Sequence, residues 1–409
     1  MDLYNQIKDG LLETNHKIGQ LFRQARAIPG MADHNFGDWE KTCESIRAQI
    51  VEEIVRVAVV GSVKSGKSTF VNALFKGDHL KRGAGVVTSI VTRIRNGGQL
   101  KAKLFFKSWD EVNAEMEQAL VLFPSSAWRT EEGSFDIRRQ KDRQELLKAL
   151  ENLNADQLIT GGTLNVNSVL LKSYLLGYET VKDIVSTDTQ IREYTEANFG
   201  EQRRFVGDDN LAVYLKDVEL NIDHNRLGRD IEIADCQGSD SPNPRHLAMI
   251  QDYLLLTHLI IYVISSRTGL RQADIKFLSM INKMGIMDNN LFVINSDFSE
   301  HDTLDNLQAL PGRVKDELAA LKPDPEIYTF SALFNLFAAL SPELPEKDRL
   351  RLAQWQKETA FLAFSESQTA QFKKAFTHKL TSERYALLLK NQLERLAVIA
   401  NGLDHWIRV

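Results

Sequence analysis

Cys43 and Cys236 are the only two cysteines in 409 residues. They stand far apart, so neither a disulfide framework nor a zinc knuckle can be assembled from them. A reducing cytosol is the compartment that fits such usage. The nine histidines show no HxxxH spacing and no CxxC pair accompanies them, which argues against a transition-metal site. Positive charge is not in excess: 50 Lys and Arg face 55 Asp and Glu, a formal net charge of −5. Nucleic-acid binding driven by bulk charge is therefore not expected. Long hydrophobic runs are missing as well. The most apolar stretch, YLLLTHLIIYVI (253–264), is too short to span a bilayer and carries Thr257 and His258. The first residues, MDLYNQIKDGLLETNHK, contain no secretory h-region. No solenoid repeat, low-complexity tract, Ser-His-Asp set or paired-carboxylate set stands out.

What remains is the makeup of a globular protein, 43% hydrophobic and 26% charged, long enough for two or three domains. Residues 3–26 repeat apolar positions at helical spacing: Ile7, Leu11, Ile18, Leu21 and Ala25. After AIPGMADHN (27–35) a second stripe runs through Trp39, Cys43, Ile46 and Ile50, which places Cys43 in a packed seam. Near the other end, Ala386, Leu389, Leu393, Leu396, Ala400, Leu403 and Ile407 alternate by three and four. These stripes predict one helical bundle, a neck, made by residues 1–53 and 345–409.

Between them the pattern changes. IVRVAVV (54–60) is a continuous β-branched run, the mark of a central strand covered on both faces. Runs of the same kind follow at 229–235, 259–265, 290–296 and 326–330, with helical segments between the later ones. This order predicts an α/β domain over 54–344, with a mostly parallel, doubly wound sheet. SIVTRIRNGGQLKAKLFF (89–106) reads as a hairpin at one sheet edge, turning at Asn96-Gly97. Residues 107–210 read as an insertion with helices near 108–123 and 142–153. The basic run RRQKDR (138–143) reads as a solvated helix start.

GSVKSGKST (61–69) follows the first strand directly. Gly61-x4-Gly66-Lys67-Ser68 between a strand and a helix is a phosphate-binding loop. Its glycines allow successive N–H groups to point at phosphate oxygens, and the helix that starts at Lys67 adds its positive end. Lys67 should reach the β and γ phosphates, and the Ser68 hydroxyl should ligate Mg²⁺. In KRGAGVVTSIVTRI (81–94), Thr88 and Thr92 are the threonines able to close over that site; Thr92 falls in a strand, which favours Thr88. IEIADCQG (231–238) ends a strand on Asp-x-x-Gly, so Asp235 could hold the Mg²⁺ shell and the Gly238 N–H could meet a γ-phosphate.

The ordered set GSVKSGKST, GAGVVT, ADCQG, FVINSD and FSAL resembles the dynamin superfamily of large GTPases, the bacterial dynamin-like branch above all. The resemblance covers about 54–340 by motif and the flanks by helix pattern. It implies binding of GTP with Mg²⁺ and hydrolysis to GDP and phosphate. By it Gly61, Ser62, Val63, Lys64, Ser65, Gly66, Lys67, Ser68 and Thr69 cradle the phosphates. Ser68, Thr88 and Asp235 hold the metal, and Thr88 also serves catalysis as switch I. Asp235 and Gly238 form switch II. Asn295 and Asp297 lie at the base, and Ser331 and Ala332 match its contact loop. It further implies pairing of G domains, with a second copy or a related dynamin-like partner, coupled to neck movement. Membrane remodelling through a lipid-touching region absent from these residues would follow, in a cytoplasmic protein peripheral to the membrane. Ending at GLDHWIRV, within or just after a neck helix, the chain reads as part of a longer protein or complex.

Three departures stand out. DCQG replaces DTPG, which puts Cys236 and Gln237 in the switch. NSD (295–297) offers no lysine and is one residue shorter than N/TKxD, so the register of Asp297 is open. Val63 and Lys64 occupy the places of a Gln-Ser pair. Lys64 either supplies charge to catalysis or is a solvated loop lysine. Two other readings stay open: a GTP-regulated scaffold without membrane activity, and a P-loop ATPase.

Overall fold

The five apolar runs become consecutive strands, from one edge inwards, of a sheet that has nine strands among the described residues. The computed structural model describes residues 2–27, 35–81, 90–123, 134–152, 159–160, 163–223, 228–239, 244–284, 286–301 and 303–408. Its strands are β1 (Val55–Gly61), β2 (Val91–Asn96), β3 (Lys101–Phe106), β4 (Ile159–Thr160), β5 (Thr163–Leu164), β6 (Gln190–Thr195), β7 (Leu215–Ile222), β8 (Ile231–Gly238), β9 (Leu259–Ser265), β10 (Asn290–Asn295) and β11 (Glu326–Phe330). The order across the large sheet is β11-β10-β9-β1-β8-β2-β7-β3-β6, while β4 and β5 pair apart. From β11 to β8 all neighbours are parallel; β2 then turns antiparallel to β8. Val55, Val57 and Val59 enter one hydrophobic core, Ala58 and Val60 the other. That alternation shows a strand covered on both faces, as doubly wound sheets require.

The expected hairpin at 89–106 does not form. β7 lies between its two arms, parallel to β2 and antiparallel to β3. Nor is β3 an edge, because β6 pairs outside it. Alternation of buried residues along β7 (Leu215, Val218, Leu220, Ile222) lets it fill the slot, and Gly97 N donates to Ile222 O rather than across a tight turn. The insertion is not a separate body. Its helices Trp109–Ala119, Gln140–Glu151 and Val166–Val181 bury Trp109, Met116, Leu146 and Tyr174 in the same core as β1. Ser108 starts the first of these with a capping box against Glu111.

The chain ends meet in a bundle. Helices Asp2–Arg26, Asn35–Glu52 and Arg384–Arg408 share a third core of Leu11, Ile18, Phe22, Ile46, Leu389 and Ile399 among others. The second stripe faces inward as expected, as do Leu11, Ile18, Leu389 and Leu396; Ile7, Leu21 and Leu393 are exposed instead, and Tyr4, Phe22 and Ile399 take inward places. Of the stretch expected as neck from residue 345, helices Glu346–Trp355 and Thr359–Thr381 pack instead on the α/β cores through Trp355, Phe361, Phe372 and Phe376. Cys43 is buried in the bundle, and burial pushes its thiol up to about 11, as its seam position predicts.

Where neck meets sheet, charge is buried. Glu232, fully inside, pairs with Arg56 at 3.4 Å and Arg95 at 2.6 Å, and accepts from Tyr253 Oη at 2.9 Å. Glu52, the last residue of a neck helix, pairs with the same two arginines. Beside them His258 Nδ1 accepts from Arg56 N at 3.1 Å, and burial together with Arg56, Arg395 and Arg384 lowers its pKa to about 3.

Glu232→Gln should therefore destabilise the fold by about 3 kcal/mol, because two arginines lose a buried partner; urea unfolding measures it. His258 adds an acid limb. Its folded value lies below its ordinary one, so its contribution is present above about pH 6.5 and is lost as pH falls towards 3. His258→Asn should flatten the decline in unfolding free energy measured from pH 6.5 to 4.5.

Candidate functional site

β1 delivers the chain to the loop at Gly61, whose φ is 145°. A Cβ there would lie 2.2 Å from Val263 O, and one at Gly66, with φ 95°, would lie 2.1 Å from Asn295 Nδ2. Both positions therefore demand glycine. Gly66 also caps the helix Lys67–Phe75, where a side-chain cap would crowd an incoming phosphate. Lys64 sits at φ 64°, a left-handed conformation that costs a residue with a Cβ about 1 kcal/mol, and its side chain is exposed. Lys67 is buried and donates to Gly61 O (2.9 Å) and Ser62 O (2.8 Å). Ser65 N turns back to Ser62 O, and Thr69 lies in the first helical turn.

Across from this loop stands the end of β8. Val59 pairs with Asp235, a bulge follows, and Gly61 pairs with Gly238. Ser239 N then donates to Gly61 O, tying the Asp-x-x-Gly segment to the phosphate loop. Ser68 Oγ donates to Asp235 Oδ2 at 2.6 Å. Asp235 Oδ1 is buried and has no hydrogen-bond partner among the described residues. Burial pushes the carboxyl up to about 6, against the pull of the Ser68 hydrogen bond and the Lys67 charge. A hydroxyl beside a carboxylate with a spare inward oxygen fits a hard divalent cation. Cys236 is buried and its thiol is driven far above the ordinary range, so it is a packing residue.

A third element closes the ring. Asn295, the last residue of β10, donates from Nδ2 to Ser65 O and accepts at Oδ1 from Ala332 N, both at 3.0 Å. Ser331 and Ala332 are wholly buried; Ser331 N donates to Ser365 Oγ, and its hydroxyl caps the next helix at Phe334 N. Asp297 differs from its neighbours. Its oxygens are engaged by Ser299 and by Arg351 rather than by the loop. Phe298, one step further, points into the core.

The structure thus brings together the loop 61–69, Asp235, Gly238, Asn295, Ser331 and Ala332. Thr88 and the rest of 82–89 lie outside the described residues, as does the Gln237 side chain. Thr92 is buried within β2, opposite Asp235. Asn72 was missed from the sequence. Fully buried, it accepts from His79 N and Leu80 N and donates to Leu80 O and Asp78, pinning the segment that leads towards Thr88. Its one signal was an amide among the apolar residues of VNALF.

The family model that matches this chain is that of the Dynamin family, over residues 57–297. The chain belongs to the dynamin family. Dynamin-like protein A of Bacillus subtilis (strain 168) is 23% identical over 295 residues, 69% of this chain and 22% of that protein. Two solved chains of an oligomerised bacterial dynamin pair, described as sensing and tethering membranes, align at 15% identity with TM-scores of 0.48 and 0.49; each alignment covers 99% of this chain. LeoA, a bacterial dynamin GTPase from ETEC, aligns at 10% identity and a TM-score of 0.36. This dynamin-family chain spans 48% of each of those structures.

The raised Asp235 value carries a sign. A carboxyl held above its ordinary value contributes stability below about pH 4 and loses it as pH rises through about 6. Asp235→Asn should accordingly raise the unfolding free energy of the ligand-free protein by about 1–2 kcal/mol at pH 7.5. The gain should vanish below about pH 4, which denaturant titrations at the two pH values would show.

Proposed function

We propose that the chain binds GTP with Mg²⁺ at the β1 loop and hydrolyses it to GDP and phosphate. The observation that carries this reading is the Ser68–Asp235 hydrogen bond beside the glycine-framed loop, with Asp235 Oδ1 buried and unpartnered. The N–H groups of 61–69 would receive phosphate oxygens. Lys67 would exchange its hydrogen bonds to Gly61 O and Ser62 O for the β and γ phosphates. Ser68 and Asp235 would hold Mg²⁺, with Thr88 completing the shell. When bound, Mg²⁺ neutralises charge that develops between the phosphates. Gly238, already tied to Gly61 by strand pairing, would offer its N–H to the γ-phosphate. Asn295 holds the loop and Asp297 would face the base, while Ser331 and Ala332, wholly buried with their N–H groups engaged, would support that side from behind rather than touch the base as the resemblance implies.

Lys64 would bring its charge to the transition state when two G domains meet across the nucleotide, a second copy or a related dynamin-like partner supplying the other face. The neck would carry the resulting movement, and membrane remodelling would belong to the whole assembly. A second reading, relaxed base selectivity that admits ATP, is favoured by Phe298, a buried core residue that by count from Asn295 stands where N/TKxD carries its acid.

Lys67→Ala should weaken labelled GDP binding about 100-fold. Lys64→Ala keeps a Cβ at the left-handed position, so charge is what changes. At high protein concentration its kcat for GTP should fall about 10- to 100-fold with KM nearly constant. An unchanged kcat would remove Lys64 from catalysis.

A further inference from the structure

Arg351 stands where no nucleotide motif is expected, on the helix Glu346–Trp355. Its Nη2 donates to Asp297 Oδ2 at 2.6 Å and to Ser299 Oγ at 3.3 Å. Its guanidinium carbon lies 4.5 Å from the centre of the Trp355 ring. Trp355 in turn meets Phe298 edge-on at 5.9 Å, and Phe298 also packs on Phe334 and Phe361. Phe298 is thereby fixed in the core, so Asp297 is the carboxylate that residues 295–299 offer to a base. Asp297 must act from where it stands.

There its capacity is nearly spent. Oδ1 accepts from both Ser299 N and Ser299 Oγ. Oδ2 accepts from Arg351. A carboxylate has about four acceptor sites, and reading guanine needs two of them, for N1–H and for the N2 amino group. With three sites engaged, one remains.

We infer that Arg351 is a specificity-setting positioning residue: by occupying Asp297 it prevents two-pronged recognition of guanine and makes the chain tolerant of bases that lack the 2-amino group. This inference rests on the proposed nucleotide site. The ion pair is partly open to solvent, with side-chain exposures of 40% for Arg351 and 27% for Asp297. A base can therefore reach the carboxylate, and the competition is between two accessible donors.

The test compares labelled GDP, IDP and ADP on the full chain with Mg²⁺. IDP differs from GDP only by the missing 2-amino group. The wild type should bind GDP and IDP within about twofold of each other. Arg351→Met, which keeps an apolar stem on Trp355, should raise the GDP-over-IDP preference about 10-fold, the factor of one hydrogen bond to a charged group. Ser299→Ala, at an exposed position, frees one site on Oδ1 and should raise the preference by a smaller factor; it serves if Arg351→Met does not fold. Asp297→Asn should move preference from GDP towards XDP. A merely structural ion pair would shift all nucleotides together and leave these ratios alone. Unchanged ratios in Arg351→Met and Ser299→Ala, or a wild type that already prefers GDP over IDP 10-fold, would overturn the inference while leaving the phosphate site standing. Absence of any nucleotide binding by the wild type would instead remove the proposed function and the inference with it.

Discussion

The close approach of β10 to the phosphate loop is the constraint on which the site depends. Asn295 reaches Ser65 O on one side and Ala332 N on the other. This is possible because Gly66 has no Cβ; one would stand 2.1 Å from the Asn295 amide. One amide therefore fixes three segments that are distant in sequence: the loop after β1, the end of β10 and the turn after β11. With both amide ends satisfied, the group has no alternative arrangement to drift into. The loop is held on this side by that contact. On the β8 side it is held by strand pairing with a bulge, by the Ser239 N–Gly61 O hydrogen bond and by the Ser68–Asp235 pair.

β8 also carries the structure's other polar concentration. Glu232 and Asp235 are three residues apart on one strand, so they face opposite sides of the sheet. Asp235 meets the phosphate loop. Glu232 meets Arg56, Arg95 and Tyr253, the last on the helix that follows the Asp-x-x-Gly segment. The same arginines reach Glu52 at the end of a neck helix. A buried charge cluster of this kind adds little net stability, yet it strongly penalises any arrangement that separates its members. It therefore holds the start of β8 and the base of the neck in one register.

How much of this was legible depends on which residues carried the signal. The parallel strands showed as unbroken β-branched runs because both faces are buried, and the phosphate loop showed because its spacing leaves few alternatives. β7 did not show. Strand pairing is a long-range event, and nothing near Asn96-Gly97 records that Leu215–Ile222 will come between the two arms. The neck stripes showed the helices and most of their inward residues but not every one, since Tyr4 and Phe22 compete with Ile7 and Leu21 for the inward face and large aromatic rings bury more area. Thr359–Thr381 reads as neck by its pattern, yet Phe372 and Phe376 face the α/β core; apolar periodicity names a buried face, not the partner that buries it. Asn72 and Arg351 were silent because their meaning lies in partners far along the chain.

Two buried polar atoms in and beside the phosphate loop, Asp235 Oδ1 and Ser65 Oγ, have no partner among the described residues, and Lys64 in the loop holds a left-handed backbone. Such atoms also occur elsewhere, Asn15 Oδ1 in the neck bundle and Gln202 Nε2 in the 107–210 region among them, so an unmet hydrogen bond alone does not mark a site. What sets the loop apart is the company its two atoms keep: a buried lysine, two glycines at positive φ and the N-terminus of a helix, the surroundings that an anion with its cation would complete. Asn72 and Asn295 support this region from behind with both ends of their amides bonded. On the proposed function, a charged ligand would supply the two missing partners, and its binding would couple to the order of the β8 segment beside the loop.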